Sequence, residues 1–322
     1  QMNMTLARSM LCCAVATLSL AAHGQSYPTK PVRVVVAFAV GGFADGVARL
    51  VGQKLSERLG QPVVVDNRGG AGGNIATRIV AAAPSDGYTL LVNTAAISIN
   101  ASLYRNPGFD IYKDFVPVAL TGSTPGLFAV HASNPAGSLQ ELIRSAKGKN
   151  LTYATAGVGS SSHLAAEMFN AAAGLNSVHV PFKAIGDIFA EMYGGRIQYY
   201  LFPLPAVMPV LREGKIRAIA TGGRARAVAL PQVPTMSEAG LPGFVSETYF
   251  GLLGPAGVPK KVIGRINTET DKQLKTDDLK TRFQNGGADA ASSTPEGFYK
   301  IQQAEQERVK KIIQDIGLKP QF

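Results

Sequence analysis

The sequence predicts an α/β protein of two lobes, each a mainly parallel β-sheet flanked by helices, with a ligand cleft between the lobes. Three observations indicate this fold. Short runs rich in β-branched residues alternate with segments whose apolar residues recur at helical spacing. Glycine-rich turns separate these segments, and the alternation restarts near residue 127. With 322 residues, the chain is also longer than a single compact core usually needs.

The elements of the first lobe follow one another in strand–helix order. Residues 31–38 form a β-branched run typical of a buried strand. The helix after it ends at Gly60, and Pro84 stops the second helix. The predicted elements are strand 31–38, helix 44–59, strand 62–65, a glycine-rich loop at 67–73, helix 74–83 and strand 88–92.

The second lobe repeats this alternation. Ser138 is a typical N-cap for its first helix. After about residue 245 the sequence predicts helices and few strands, ending in a helix that starts at Ser293 or Thr294, just before Pro295. The predicted elements are strand 127–130, helix 138–146, strand 151–154, helix 162–173, strand 178–180, helix 186–193, strand 197–202, a partly helical segment at 205–212 and strand 216–220. We assign residues 27–124 plus 246–322 to lobe 1 and residues 125–245 to lobe 2.

Composition narrows the class of protein. Hydrophobic residues make up 46% of the chain and charged residues 17%, which is typical of a folded globular protein. Its 32 Lys and Arg outnumber its 22 Asp and Glu, so the net charge of +10 favours an anionic partner. The basic residues are scattered, in pairs at most, and no nucleic-acid partner is therefore expected.

Residues 1–24 predict a secretory signal peptide. Arg8 precedes an apolar run, and small residues near Gly24 suit cleavage there or a residue or two away. The run is shorter than the ~20 residues that a transmembrane helix needs. Both cysteines, Cys12 and Cys13, lie in this segment. We therefore expect an exported mature chain without thiols.

Two strand-to-helix loops combine the features of an anion site. In the first loop, glycines allow close backbone approach and a helix start supplies unpaired N–H groups; an ordinary tight turn explains it equally well. The second loop has small residues and hydroxyls before a helix start. Ligands of open α/β sheets bind beyond the carboxyl ends of the strands, so both loops are expected at the cleft. The candidate residues are Val40, Gly41, Gly42, Phe43, Ala44 and Asp45 in the first loop and Ala156, Gly157, Gly159, Ser160, Ser161 and His163 in the second.

No pattern indicates catalysis, a metal or a cofactor. The serines of the second loop lack a G-x-S-x-G elbow, and the first loop lacks the G-x-G-x-x-G spacing. His131, His163 and His179 lie at no metal-ligand spacing. His163 falls in a first helical turn, where capping or a ligand hydrogen bond is the expected role. Lys183 is expected either to attract an anion or to be a solvated surface lysine.

Several short motifs follow one another along the chain, each occurring once. They are Gly41-Gly42-x-x-Asp45, Gly60-Gln61-Pro62 through Asn67-Arg68, Gly70-Ala71-Gly72-Gly73-Asn74, Asp86-Gly87-Tyr88-Thr89-Leu90, His179-Val180-Pro181, Val233-Pro234-Thr235 and Ser293-Thr294-Pro295-Glu296. Together they resemble the Bug-type periplasmic solute-binding receptors of the tripartite tricarboxylate transporter family. The resemblance covers essentially the whole mature chain.

The resemblance implies a type II-like periplasmic binding protein, monomeric, that closes on a small organic carboxylate and delivers it to integral membrane transporter subunits. It also implies that the two loops hold ligand carboxylates through backbone N–H groups, hydroxyls and ordered water, with Thr94 and Ala95 lining the same cleft. Two other functions stay open: a ligand-binding regulator without transport, and an exported hydrolase.

The chain departs from the family pattern where the ligand is expected. Val40 replaces a usual proline, and Phe202-Pro203-Leu204 replaces a common Phe-Asp-Asn segment whose Asp meets a ligand ammonium. The expected cleft wall is apolar and comprises Val40, Phe43, Ala184, Phe202 and Leu204. Phe182, in the loop at residues 181–184 that also departs from the family pattern, is a further candidate ligand-binding residue. We therefore predict a dicarboxylate with an apolar body: first an aromatic one such as terephthalate or a phthalate isomer, then a linear aliphatic diacid. Citrate, aspartate and glutamate are disfavoured.

Overall fold

Across residues 27–183 and 185–320, which the computed structural model describes, ten strands and ten α-helices form the fold. The strands are β1 (Val32–Val36), β2 (Val63–Asn67), β3 (Thr89–Thr94), β4 (Phe115–His131), β5 (Thr152–Thr155), β6 (Val178–Pro181), β7 (Tyr199–Pro203), β8 (Ile216–Thr221), β9 (Glu247–Pro255) and β10 (Asp289–Ala290). The helices are α1 (Phe43–Leu59), α2 (Asn74–Ala81), α3 (Ala96–Leu103), α4 (Leu139–Ala146), α5 (Ser161–Ala173), α6 (Ile185–Tyr193), α7 (Leu204–Arg212), α8 (Lys260–Leu274), α9 (Asp277–Asn285) and α10 (Pro295–Asp315). The predicted signal peptide, with Cys12 and Cys13, and the predicted site residue Ala184 lie outside the described residues.

The strands form one mixed sheet in the order β2-β1-β3-β9-β4-β7-β5-β6, with β8 and β10 paired to β4. β1 runs parallel to β2 and β3, and β5 runs parallel to β6 and β7. Between these parallel sets, β9 is antiparallel to β3 and β4, and β4 is antiparallel to β7 and β8. The predicted α/β fold is confirmed, and its sheet is mixed because two long antiparallel strands lie at its centre.

β4 belongs to both halves of the sheet. Residues 115–125 pair with β9, and residues 126–131 pair with β7 and β8. The register with β9 shifts twice in the first part, between Pro117 and Ala119 and between Leu120 and Gly122, and shifts of this kind bend a strand. Where β4 changes partners, the N–H of Gly126 donates to the carbonyl of Ser246, that of Ser246 to Gly222, and that of Gly222 to Gly126, each over 2.7 Å. These three hydrogen bonds join β4 to the residue after β8 and to the residue before β9.

Several predicted helix starts are confirmed. The hydroxyl of Ser138 accepts a hydrogen bond from the N–H of Glu141 and caps α4, and the hydroxyl of Thr294 accepts from Gly297 and caps α10. Over residues 246–320, which the structure describes, the chain forms three helices and only two strands, as expected, but one of those strands, β9, was not predicted and lies in the middle of the sheet. Helix α3 was not predicted. Within the described ranges, no helix is both long and apolar enough to cross a membrane.

The buried apolar residues fall into clusters that follow the predicted lobes. The cluster that contains Val36 and Phe250 and the cluster around Phe298 draw on residues 27–124 and 246–322. The clusters around Phe128 and Tyr200 draw on residues 125–245. A smaller cluster joins α3, α5 and α10 across the two halves. The lobe boundaries stay a prediction, which these separate cores support.

Candidate functional site

A cavity of ≈ 430 Å³ lies at the carboxyl ends of parallel strands from both halves of the sheet. This volume is within the range of small-molecule sites, and the position is the one expected for open α/β sheets. Its walls come from the loops after β1, β2, β5 and β6 and from the ends of β3 and β7. The lining residues are Phe38, Ala39, Val40, Gly42, Phe43, Ala44, Gly69, Gly70, Ala71, Gly73, Thr94, Tyr104, Ala156, Gly157, Val158, Ser160, Ser161, Ser162, Pro181, Phe182, Lys183, Ile185, Phe202, Pro203, Ala206 and Phe250.

Most of the predicted site residues meet at this cavity. Those that line it are Val40, Gly42, Phe43, Ala44, Thr94, Ala156, Gly157, Ser160, Ser161, Phe182 and Phe202. Gly41, Asp45, Ala95, Gly159 and His163 do not line it. The prediction that Leu204 lies in the cleft wall is wrong. Leu204 starts α7, is fully buried in the apolar cluster around Tyr200, and packs near Gly287.

The first predicted loop opens into the N-terminus of α1. Gly42 is the N-cap, and because glycine has no side chain, no side-chain hydrogen bond caps this helix. The first N–H groups of a helix have no carbonyl partner within the helix, and the helix dipole places partial positive charge there. Because Gly42, Phe43 and Ala44 line the cavity, this turn is suited to hold a carboxylate.

The second predicted loop opens into α5 and is held by hydroxyl groups. The hydroxyl of Ser160 donates to the carbonyl of Gly157 over 2.6 Å, accepts from the N–H of His163 over 3.2 Å, and lies 2.9 Å from the hydroxyl of Ser162. The N–H of Ala156 donates to Ser162 Oγ over 3.0 Å. These bonds fix the loop, so that a second helix N-terminus faces the cavity in a set geometry.

Two histidines support this loop from behind. The rings of His163 and His179 stack with centroids 4.5 Å apart. The N–H of Gly159 donates to His163 Nδ1 over 3.4 Å, and His179 Nε2 lies 2.6 Å from Thr155 Oγ1. Burial and the neighbouring His179 lower the pKa of His163 to about 3, and burial lowers the pKa of His179 to about 4. Both rings are therefore uncharged at neutral pH.

The histidine pair makes stability depend on pH. An unfolded histidine protonates near pH 6.5, whereas these two stay neutral in the folded state until about pH 4 or below. Between these values the unfolded chain binds more protons, so the free energy of unfolding falls as the pH falls, by up to about 1.4 kcal/mol per pH unit for each ring. Urea unfolding at pH 7.0 and 5.5 measures this change. His179→Gln removes one of the two rings, so the free energy of unfolding is expected to fall less between pH 7.0 and 5.5, by up to about 1.4 kcal/mol per pH unit less than in the wild type. Identical pH dependences for the variant and the wild type would contradict this assignment.

Sequence reasoning missed the glycine-rich loop as part of the site. Gly69, Gly70, Ala71 and Gly73 all line the cavity, and Ala71 has a positive φ of 48°. The sequence showed the glycine run, but nothing in it said that the loop after β2 turns toward the cleft. Phe38 and Phe250 were also missed, and both add apolar wall.

Charge in the cavity is sparse. Among the described residues that line it, Lys183 alone carries a charge, and its side chain is exposed. Within the described ranges, no group of three or more His, Cys, Asp or Glu side chains is placed to hold a metal ion. An anion in this cavity is therefore held mainly by backbone dipoles and hydroxyl groups.

The fold, with a cavity between two halves of a mixed sheet, places the protein in the class of periplasmic binding proteins. More narrowly, the chain belongs to the receptors of the tripartite tricarboxylate transporter family, whose family model matches residues 47–318. The resemblance noted from the sequence motifs is confirmed.

Relatives of known sequence and structure match nearly the whole chain. It is 32% identical to protein BugT of Bordetella pertussis over 99% of both chains, and 34% identical to a UPF0065 protein from a tcbD-tcbE intergenic region of Pseudomonas sp., over 91% of this chain and 88% of that one. The structure of Rpa4515 from Rhodopseudomonas palustris with adipate has a TM-score of 0.89 and 34% identity, covering 92% of this chain and 100% of that chain. That of MatC (Rpa3494) from the same organism with bound malate has a TM-score of 0.84 and 33% identity, covering 89% and 100%.

Proposed function

We propose that this protein is a periplasmic receptor that binds a small dicarboxylate with an apolar body and delivers it to a tripartite tricarboxylate-type membrane transporter. The observation that carries the proposal is the pairing of two helix N-termini, those of α1 and α5, at one largely apolar cavity. Each N-terminus suits one carboxylate, and a diacid supplies one for each.

The similar receptors support a diacid. Adipate and malate, which accompany Rpa4515 and MatC, both carry two carboxylates. The proposed contacts here are the residues of the two loops that line the cavity, Thr94, and the aromatic side chains of Phe182 and Phe202. The loop residues are Val40, Gly42, Phe43 and Ala44 in the first loop and Ala156, Gly157, Ser160 and Ser161 in the second. The proposed lobes, residues 27–124 plus 246–322 and residues 125–245, each contribute one of the two loops.

The cavity wall favours an apolar body between the carboxylates. Five phenylalanines line it: Phe38, Phe43, Phe182, Phe202 and Phe250. An aromatic ligand gains about 0.5–1.5 kcal/mol from each ring–ring contact beyond area burial. A hydroxyl left unpaired against this wall costs about 1–3 kcal/mol, which disfavours citrate. We therefore place terephthalate or a phthalate isomer first and adipate second.

Calorimetric titration with terephthalate, phthalate, adipate, citrate and glutamate tests the ligand class. We expect terephthalate or adipate to bind at least tenfold more tightly than citrate and glutamate. Citrate or glutamate binding tenfold more tightly than every apolar diacid would contradict the apolar-wall argument, while the receptor assignment would stand. Uptake of the bound acid by a strain lacking this gene then separates transport from ligand sensing alone, because a sensor's loss leaves uptake intact.

A further inference from the structure

A buried carboxylate, that of Asp45, lies next to the first loop of the cavity. Asp45 sits in the first turn of α1, is 3% exposed, and does not line the cavity. Its Oδ2 accepts a hydrogen bond of 3.0 Å from the N–H of Gly41, the residue before the N-cap. Gly41 has a φ of 81°, a left-handed conformation that a glycine adopts without strain. The bond fixes the loop in this turn.

A chain of polar contacts ties Asp45 to the other end of the loop. Its Oδ1 lies 2.9 Å from Nε of Arg49, one helical turn further along α1. Arg49 Nη2 donates to Asn67 Oδ1 over 3.2 Å, and Asn67 Nδ2 donates to the carbonyl of Phe38 over 3.0 Å. Phe38 and Gly41 lie at the two ends of the short segment that leads into the N-terminus of α1, which faces the cavity. Both ends of the loop are therefore fixed by one network.

The charge of Asp45 affects how well the N-terminus of α1 can hold a ligand carboxylate. A ligand carboxylate at the N-terminus of α1 would share that helix end with a second negative charge, and like charges repel more strongly where water is excluded. Burial opposes ionisation of Asp45, but the hydrogen bonds from Arg49 and Gly41 outweigh it and hold its pKa below the ordinary value. Asp45 is thus charged at neutral pH, and Arg49 is the cation that offsets it.

We propose that Asp45 is a positioning residue that shapes the first carboxylate loop through Gly41, and that Arg49 neutralises its charge so that the loop accepts a dianion. This inference rests on the proposed function for its ligand, but not for its effect on the loop. Neither Asp45 nor Arg49 lines the cavity. They act by setting the direction of the N–H groups and the local charge.

Four variants and two readouts test it. Asp45→Ala is expected to speed amide hydrogen exchange at Gly41, measured by NMR without ligand, at least tenfold and to weaken adipate and terephthalate binding at least tenfold. Asp45→Asn keeps an oxygen for Gly41, so both quantities should stay within threefold of wild type. Arg49→Met should leave Gly41 exchange within threefold, yet weaken adipate at least tenfold and the monoanion monomethyl adipate less than threefold. Arg49→Lys, which keeps the charge, should restore adipate binding.

Arg58→Met is the matched control. Arg58 lies on the same helix, nine residues after Arg49, and pairs with Glu269 on the surface. Its loss removes the same charge far from the loop and should change neither readout. Unchanged Gly41 exchange in Asp45→Ala, or equal losses for adipate and its monoester in Arg49→Met, would overturn the proposal. If the wild-type protein binds neither acid, the proposed function is contradicted instead. Amide hydrogen exchange at Gly41 would still decide whether Asp45 positions the loop.

Discussion

Replacing Gly159 with alanine is expected to lower the free energy of unfolding by about 2–5 kcal/mol and to abolish tight ligand binding. Gly159 has a φ of 80°, which costs a non-glycine residue about 1–2 kcal/mol. A Cβ there would lie 1.8 Å from Asn100 Oδ1. Asn100 is fully buried, and its Nδ2 donates to the carbonyl of Gly72 over 2.9 Å, so it has little room to move. Overpacking of this kind costs about 1–3 kcal/mol.

The predicted binding loss follows from where the new methyl group pushes. The loop at residues 157–160 would have to move away from α3, taking Ser160 and the N-terminus of α5 with it. Gly174→Ala is the matched control, since Gly174 ends the same helix with a φ of 64° and a Cβ there meets nothing within 4 Å. Denaturant unfolding and calorimetry should show only a conformational loss of about 1–2 kcal/mol in the control, with binding retained. Equal losses in both variants would mean that the contact with Asn100 gives way easily.

Phe202→Ala is expected to destabilise the fold by about 3–5 kcal/mol, so its effect on binding will not measure a ligand contact alone. Phe202 lines the cavity but is 3% exposed, and its ring packs edge-on against Tyr200 with centroids 5.6 Å apart. Phe182 also lines the cavity and is only partly buried. Phe182→Ala should therefore cost less than half as much stability.

This difference decides which residue tests the aromatic ligand. We expect Phe182→Ala to keep a folded protein and to weaken terephthalate more than adipate, because only the aromatic acid loses a ring contact. Urea unfolding of both variants, followed by titration of Phe182→Ala with both acids, measures these effects. Equal weakening of terephthalate and adipate would show that the ring is a packing residue. A stable Phe202→Ala would show that its site collapses around the missing ring.

The parts of the fold that sequence predicted are those with local causes. Caps such as Ser138 and Thr294 satisfy N–H groups within three residues, so their effect is visible in the chain itself. β9 was missed because an apolar run such as residues 249–255 suits a buried strand or a buried helix, and the choice is made by β3 and β4, which pair with it from far along the chain. β4 was predicted only at residues 127–130 because prolines and glycines interrupt its first part, where the register with β9 shifts twice.

The site divides in the same way. The first and second loops were predicted because glycines and hydroxyls before a helix have a local physical meaning. Leu204 was misplaced because a residue just after β7 points into the core once α7 begins there, and only the packing of α7 decides that. Helix α3 was missed because even its polar residues, such as Ser98 and Asn100, are buried, which removes the amphipathic pattern.

The three bonds among Gly126, Ser246 and Gly222 have a mechanical consequence. The chain passes between the two halves of the sheet at residues 125–126 and 245–247, and these bonds clamp both passages at the same height. A Cβ on Gly222 would lie 2.6 Å from the carbonyl oxygen of Ser246, so only glycine permits the clamp. Two strands fastened side by side resist twisting and sliding but still bend together, which leaves rotation about a single axis as the soft direction. We therefore expect the two halves to move relative to each other mainly by this rotation, so that a ligand bound between them would have little other relative motion to restrict.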